Sequence, residues 1–332
     1  AMAMAWDDGN HIEEPHDPLI AHLRIHDHRI LLIQFPRARC CPSISPFALK
    51  LETWLRVADL PYLNVSNKFR QRSTKGQIPY IELDGEQVAD THFIIKRLKK
   101  EFERNNPDAD LSEEEVALTK SYLALIENRL FWVYENSLAH NNKWLATDDG
   151  FAGHFSKWKL RLFRLLALRP LKCMLRRNCT LQGVRRLTQL EIEAQAKADL
   201  TALSTLLGEK DYFFGDKPTT LDCSAYGLLI VFLHTPTWPT PIKRHLEENC
   251  ANLVRMVQRI REGYWADWDE ACSNLSLHTE WKRARMIAER YSLAPCEVSD
   301  SNLPETAEKI EKEDEEKKES EEGTSNREEK DA

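Results

Sequence analysis

The spacing of apolar residues changes period within the first hundred positions. Residues 29–35, Arg-Ile-Leu-Leu-Ile-Gln-Phe, form a nearly continuous aliphatic run, the pattern of a strand covered on both faces. From Ser45 the period lengthens: Phe47, Leu51, Trp54, Leu55 and Ala58 recur at three and four residues, while Lys50, Glu52 and Arg56 take the other side. This predicts an amphipathic helix ending near Ala58, opened by Ser45 as N-cap and Pro46 at the first helical position. A second strand is expected at 62–65, then a polar loop with Lys68, Arg70, Arg72 and Lys75. Residues 80–83 alternate up to Asp84-Gly85, a hairpin signal, and 86–88 return. Pro79 belongs at the first residue of its strand, because it has no N–H for a ladder. Asp90-Thr91 then caps a helix over 92–101.

Past the linker at 105–111 the pattern is helical throughout. Ser112 and Glu115 form a capping box for a long helix to about residue 138, and Val116, Leu118, Tyr122, Leu125, Leu130, Trp132 and Val133 predict that other helices bury it. Thr188 and Glu191 open another, which ends at Gly208. Thr219 with Asp222 at N3 opens a third, whose run over 225–233 is apolar enough for a core. Pro236, Pro239 and Pro241 break the chain. Helices are expected again at 252–265 and 278–291. No internal repeat is found.

Composition narrows the class. With 332 residues and 42% hydrophobic content, the chain can form one to two full cores. Its net charge of -7 is uneven: residues 297–332 hold fifteen acidic and six basic side chains, a charge of -9 that leaves +2 on the rest. The stretch 296–332 therefore reads as a disordered acidic tail. Residues 1–28 read as a flexible leader; its His11, His16, His22, His26 and His28 lack the closely placed acids or thiols of a metal site. The opening Ala-Met-Ala-Met-Ala reads as a cloning remnant. Eight scattered cysteines without a Cys-x-x-Cys pair imply reduced thiols, a cytoplasmic setting and no metal. No run reaches the roughly 18 to 20 apolar residues of a spanning helix.

The segment 151–187 stands apart. Between Ser156 and Arg186 lie ten basic residues and no acid, interleaved with Phe155, Trp158, Leu160, Leu162, Phe163, Leu165, Leu166 and Leu168. Three readings stay open: a two-helix hairpin broken near Pro170 and solvated on its basic side, a helix lying on anionic lipid with peripheral membrane localisation, or a nucleic-acid surface. The last lacks any accompanying motif, and the expected partners exclude nucleic acid.

The order strand, helix, strand, loop, proline, strand, hairpin, strand, helix resembles the thioredoxin-like domain of the glutathione-transferase superfamily, with a cis peptide before Pro79. More narrowly, Ser45-Pro46-Phe47-Ala48-Leu49-Lys50-Leu51-Glu52-Thr53-Trp54-Leu55, Lys75-Gly76-Gln77-Ile78-Pro79-Tyr80-Ile81-Glu82 and Tyr264-Trp265-Ala266-Asp267-Trp268-Asp269-Glu270 resemble the failed axon connections family, which is related to the metaxins. The resemblance implies an α+β thioredoxin-like domain at 29–104 and an all-α glutathione-transferase C-terminal domain at 112–295, with 151–187 as a basic insertion. It also implies that Thr219 and Asp222 form the structural cap of the buried central helix.

For function the resemblance implies glutathione as co-substrate or ligand. Ser45 stands where cysteine-bearing members place their nucleophile, and as a serine it would donate a hydrogen bond to the thiol; capping alone is the alternative. Ile78, ahead of Pro79, would offer its backbone to the cysteinyl unit, Asp90 and Thr91 would meet the γ-glutamyl end, and Lys75 the glycyl carboxylate. A redox role for Cys40 and Cys41 is the lesser possibility. The expected activity is weak conjugation of a small apolar electrophile or peroxide reduction. The homodimer usual among catalytic relatives is not derivable from the sequence. The alternative is a non-catalytic metaxin-like scaffold or membrane-surface protein. A role in axon development is implied by the family alone.

Overall fold

A computed structural model of the chain describes residues 30–236 and 240–277. Four strands, β1 (Ile30–Gln34), β2 (Tyr62–Ser66), β3 (Tyr80–Leu83) and β4 (Glu86–Ala89), form one sheet in the order β2-β1-β3-β4. β1 runs parallel to β2 and antiparallel to β3, with Ile33 opposite Tyr80, and Tyr80 in turn faces Ala89. The tight turn between β3 and β4 is possible because Gly85 takes φ 79°, a left-handed conformation that costs glycine little. Helix α1 (Pro46–Val57) crosses from β1 to β2, and α2 (Thr91–Glu101) follows β4.

The helical half opens with α3 (Glu113–Leu125), which runs through a π-turn at Ile126–Leu130 into α4 (Phe131–His140). Ser112 and Glu115 make both bonds of the capping box. Burial along this helix is uneven: Thr119 is the buried residue of α3 and Val116 is 38% exposed, whereas most of α4 is buried. The expectation of a fully covered helix holds only for its second half. Helices α5 (Lys157–Leu166) and α6 (Leu168–Gln182) form the basic hairpin. It breaks at Ala167, not at Pro170, which sits in the first turn of α6 where no intrahelical N–H bond is lost.

Helices α7 (Gln189–Leu207), α8 (Thr220–His234), α9 (Thr240–Asn249), α10 (Ala251–Tyr264) and α11 (Trp268–Asn274) complete the described chain. The helix α9, begun just ahead of Pro241, was not expected. The helix anticipated at 278–291, the histidine-rich leader and the acidic tail lie outside the described residues. Around α8 the main core gathers Tyr226, Leu229, Ile230 and Phe232 with Leu200, Leu203, Met256 and Ile260. A smaller core under the sheet joins Leu32, Leu51, Trp54, Ile81 and Ile94.

The two halves meet along α1, and here the expectation for its polar side is corrected. Lys50, Glu52 and Arg56 are buried, exposed by 2, 0 and 2%. They do not face water: α8 packs on the Lys50 turn, where a Cβ on Gly227 would stand 2.3 Å from the Pro46 carbonyl oxygen and only glycine allows the approach, while Glu52 and Arg56 are engaged by residues of the sheet half and of the 265–267 segment. Arg37 donates to both Glu52 oxygens at 2.7 Å. Arg56 donates to Asp267 at 2.5 and 3.0 Å and stacks over Trp265, 3.8 Å from the ring centre. Gln34, Tyr62 and Asn64 also donate to Glu52. Burial alone would raise the Glu52 pKa, but Arg37, Arg56 and Gln34 outweigh it and hold the carboxyl well below the usual range. Two tryptophans bolt the seam: Trp54 donates to Thr220 at 3.0 Å and Trp265 to Thr53 at 3.1 Å.

Candidate functional site: a cleft at the start of helix α1

Ser45 begins α1 in extended conformation, and its Oγ accepts from the Ala48 N–H at 3.4 Å. Its own N–H donates to Ser43 Oγ at 3.2 Å, which fixes the turn into the helix. Ser45 is half-buried. The cap uses the hydroxyl as acceptor, so its O–H remains a donor by type. Helix starts also carry unpaired N–H groups and the positive end of the dipole, an environment suited to an anion.

The Ile78–Pro79 peptide is cis, and Pro79 leads directly into β3. One step beyond the Tyr80–Ala89 pair, the ladder sets Asp90 beside this segment. Asp90 takes φ 78° and caps α2, with Oδ1 accepting from the His92 N–H at 2.9 Å. Gln77 Nε2 approaches Asp90 Oδ2 at 3.5 Å, and the buried Gln77 Oε1 has no partner among the described residues. Thr91 is buried at the start of α2. Lys75 is exposed, its Nζ 4.7 Å from the centre of the Phe93 ring.

An open cleft with an enclosed volume of about 50 Å³ lies between the halves. Phe35, Ile44, Ser45, Pro46, Phe47 and Ile78 line it on one side; Phe131, Tyr134, Glu135 and Leu138 of α4 line it on the other. Tyr134 ties the walls by donating to the Ile44 carbonyl at 2.8 Å. Burial pushes the Glu135 carboxyl up to about 7. The structure therefore brings Ser45 and Ile78 to one apolar cleft. Pro79, Asp90 and Thr91 adjoin Ile78 at the same end of the sheet without lining it, and Lys75 is engaged with Phe93.

Several lining residues escape a reading of the sequence. Glu135 is the one acid in the apolar stretch Phe-Trp-Val-Tyr-Glu-Asn-Ser-Leu-Ala-His of α4, and that isolation is the signal that marks it. Phe131 and Tyr134 look like ordinary core residues. The basic hairpin lines none of the cleft; it reaches the sheet half through Phe69, whose ring lies 6.1 Å from Phe163 and 6.4 Å from Phe35.

Cys40 and Cys41 stand side by side in the loop before α1. Their sulfurs are 3.8 Å apart, Cys41 donates to the Ser43 carbonyl at 3.1 Å, and both are free thiols. The Cys40 contact and burial push the Cys41 thiol well above its ordinary range, which opposes a nucleophilic thiolate. Thr219 and Asp222 make the capping box of α8, with Asp222 accepting from Thr219 N and Oγ1 at 2.8 and 2.7 Å and from Phe213 N at 2.9 Å. No group of three or more His, Cys, Asp or Glu among the described residues is arranged for a metal ion. None of the described helices is long and apolar enough to cross a membrane.

Comparison with known proteins agrees with this architecture. Residues 46–144 match the model of the glutathione S-transferase N-terminal domain, and 196–260 that of the glutathione S-transferase C-terminal domain. Failed axon connections of Drosophila melanogaster is 36% identical over 267 residues, which cover 75% of this chain and 61% of that protein. The match thus spans less than two thirds of the Drosophila protein. Metaxin-3 of Danio rerio is 26% identical over 240 residues, 68% of this chain and 72% of its own. An isoprene-epoxide–glutathione S-transferase of Rhodococcus sp. strain AD45 is 27% identical over 232 residues, 67% of this chain and 94% of its own. With a thioredoxin-like sheet, a capped central helix and both domain matches in order along it, the chain is a metaxin-like member of the glutathione S-transferase superfamily, related to Failed axon connections.

Proposed function

We propose that the cleft binds glutathione, with the thiol at Ser45 and the tripeptide backbone along Ile78, and that Ser45 favours the thiolate by donating its O–H. The observation that carries this reading is the cleft itself: a hydroxyl at a helix start and the segment before Pro79 face an apolar wall of Phe131, Tyr134 and Leu138. Such a wall suits a small apolar electrophile, and the thiol's unperturbed pKa of about 8.5 would fall beside the helix end. With an epoxide as electrophile, the thiolate sulfur would bond to one ring carbon as that carbon's C–O bond breaks, and the released alkoxide would take a proton from water; the name of the Rhodococcus relative pairs an epoxide with glutathione for that enzyme. In this reading Asp90 and Thr91 receive the γ-glutamyl end, with the unpartnered Gln77 Oε1 as a further acceptor.

A second reading, a non-catalytic metaxin-like scaffold, is favoured by one observation. Ser45 and Asp90 each already serve as a helix cap, and Lys75 packs on Phe93. Thermal unfolding separates the two. A ligand with Kd of about 1 mM, supplied at about 10 mM, stabilises by about 1.4 kcal/mol. A rise in Tm with glutathione, absent with its γ-glutamyl-free dipeptide, supports the first reading. No rise with either supports the scaffold.

A further inference from the structure

Helix α5 buries none of its residues. Trp158, Leu162, Leu165 and Leu166 are exposed by 64, 45, 64 and 52%, half of the eight large apolar side chains exposed among the described residues. Their spacing of four, three and one puts them on a single helical face. The other side holds α5 to the protein: Leu160 and Phe163 pack on the main core, and Phe163 stacks with Phe155 at 4.9 Å. The apolar stripe therefore points away from the body.

Bases border that stripe. Lys157, Lys159 and Arg161 are exposed, while Arg164 is tied back by donating to the Ala146 carbonyl at 2.7 Å. α6 continues the charge with Arg169, Lys172, Arg176 and Arg177, and no acid occurs from 156 to 186. The ion pairs of the described residues include none of these bases.

We propose that α5 lies in the interface of an anionic lipid membrane, with Trp158, Leu162, Leu165 and Leu166 entering the acyl boundary and the flanking Lys and Arg side chains meeting the headgroups. A nucleic acid would satisfy the charge but leave the stripe in water. A second copy would cover the stripe but bring two strongly basic surfaces together. A lipid interface accounts for both features. The proposal is independent of the glutathione reading, since the hairpin lines none of that cleft.

Flotation of the full chain with vesicles tests it, using phosphatidylcholine alone and phosphatidylcholine with about 30% phosphatidylserine. Binding to the anionic vesicles only, weakening with salt, is expected. Lys157→Gln with Lys159→Gln should lower partitioning roughly fivefold for each charge removed. Trp158→Ser with Leu165→Ser should lower it at least about tenfold at unchanged Tm, because these side chains stand outside the packed core. Equal vesicle binding by the serine pair would overturn the proposal. So would absence of flotation by the wild type, whether the chain instead bound a single-stranded RNA oligonucleotide, self-associated through the stripe, or did neither.

Discussion

Helix α1 meets opposite environments at its two ends. Its last two turns are sealed, and there each charge has a counter-charge: Glu52 faces Arg37 and Arg56, and Arg56 faces Asp267. Its first turn opens on the cleft, where Ser45 keeps a donor and Glu135 across the gap is raised by burial. One helix thus serves as an inter-half rivet at one end and borders an open cleft at the other. The contrast shows how to sort buried polar groups: those whose charge is balanced within the protein hold the fold, and those that face a cleft with capacity left are available for chemistry.

The sharpest way to break the contrast is Glu52→Gln. It leaves the two buried guanidinium groups without their shared counter-charge, and breaking such a pair typically costs about 3 to 5 kcal/mol. Urea denaturation measures it; a loss below about 1 kcal/mol would mean that the seam does not hold the halves together. The same seam has an acid signature. Glu52 has a folded pKa depressed below its ordinary 4.5, so the stability it gives is present above pH 4.5 and is lost as pH falls below it.

Glu135 runs the other way. Its folded pKa is raised from 4.5 to about 7, so between these values the folded state keeps a proton that the unfolded state releases. Stability falls as pH rises through this window and is level above it. Glu135→Gln should flatten the fall, a change on the order of 3 kcal/mol across the window, read from Tm at a series of pH values. An unchanged slope would remove Glu135 as the cleft's titrating group.

Smaller effects follow at the caps. Asp222→Ala should cost about 1 to 2 kcal/mol, because the bonds from Thr219 and Phe213 are lost in the core. Its Tm should fall while glutathione affinity of the folded protein stays; equal melting with lost binding would sink the structural assignment. Ser45→Ala should cost least, about 0.5 to 1 kcal/mol, since its capping bond is long at 3.4 Å. A difference spectrum of bound glutathione should show its thiol titrating higher in this variant. Identical titration curves would leave Ser45 as a cap only.

Much of the fold was legible because its signals are local. The Asp84-Gly85 turn, the Ser112, Thr188 and Thr219 capping boxes and the proline ahead of β3 each act through residues close in sequence. The seam was not legible, because Glu52 and Arg56 at i and i+4 read as a solvated helix face. Partners distant in sequence make them interior: Arg37, Tyr62 and Asn64 around Glu52, and Asp267, 211 residues from Arg56. The site was half legible: Ser45 and Ile78 were placed by their motif, whereas the opposing wall comes from a distant helix whose aromatic residues resemble core.

Calorimetric titration of glutathione into the chain, repeated with Asp90→Ala and Ser45→Ala, tests the central claim most directly. The account predicts saturable heat with the wild type, affinity within about threefold of it in Ser45→Ala, and at least about a tenfold loss in Asp90→Ala, the size expected when a charged hydrogen bond is removed. No heat at millimolar glutathione from a protein that melts cooperatively would contradict it, and the open end of α1 would then be a frame kept without its ligand.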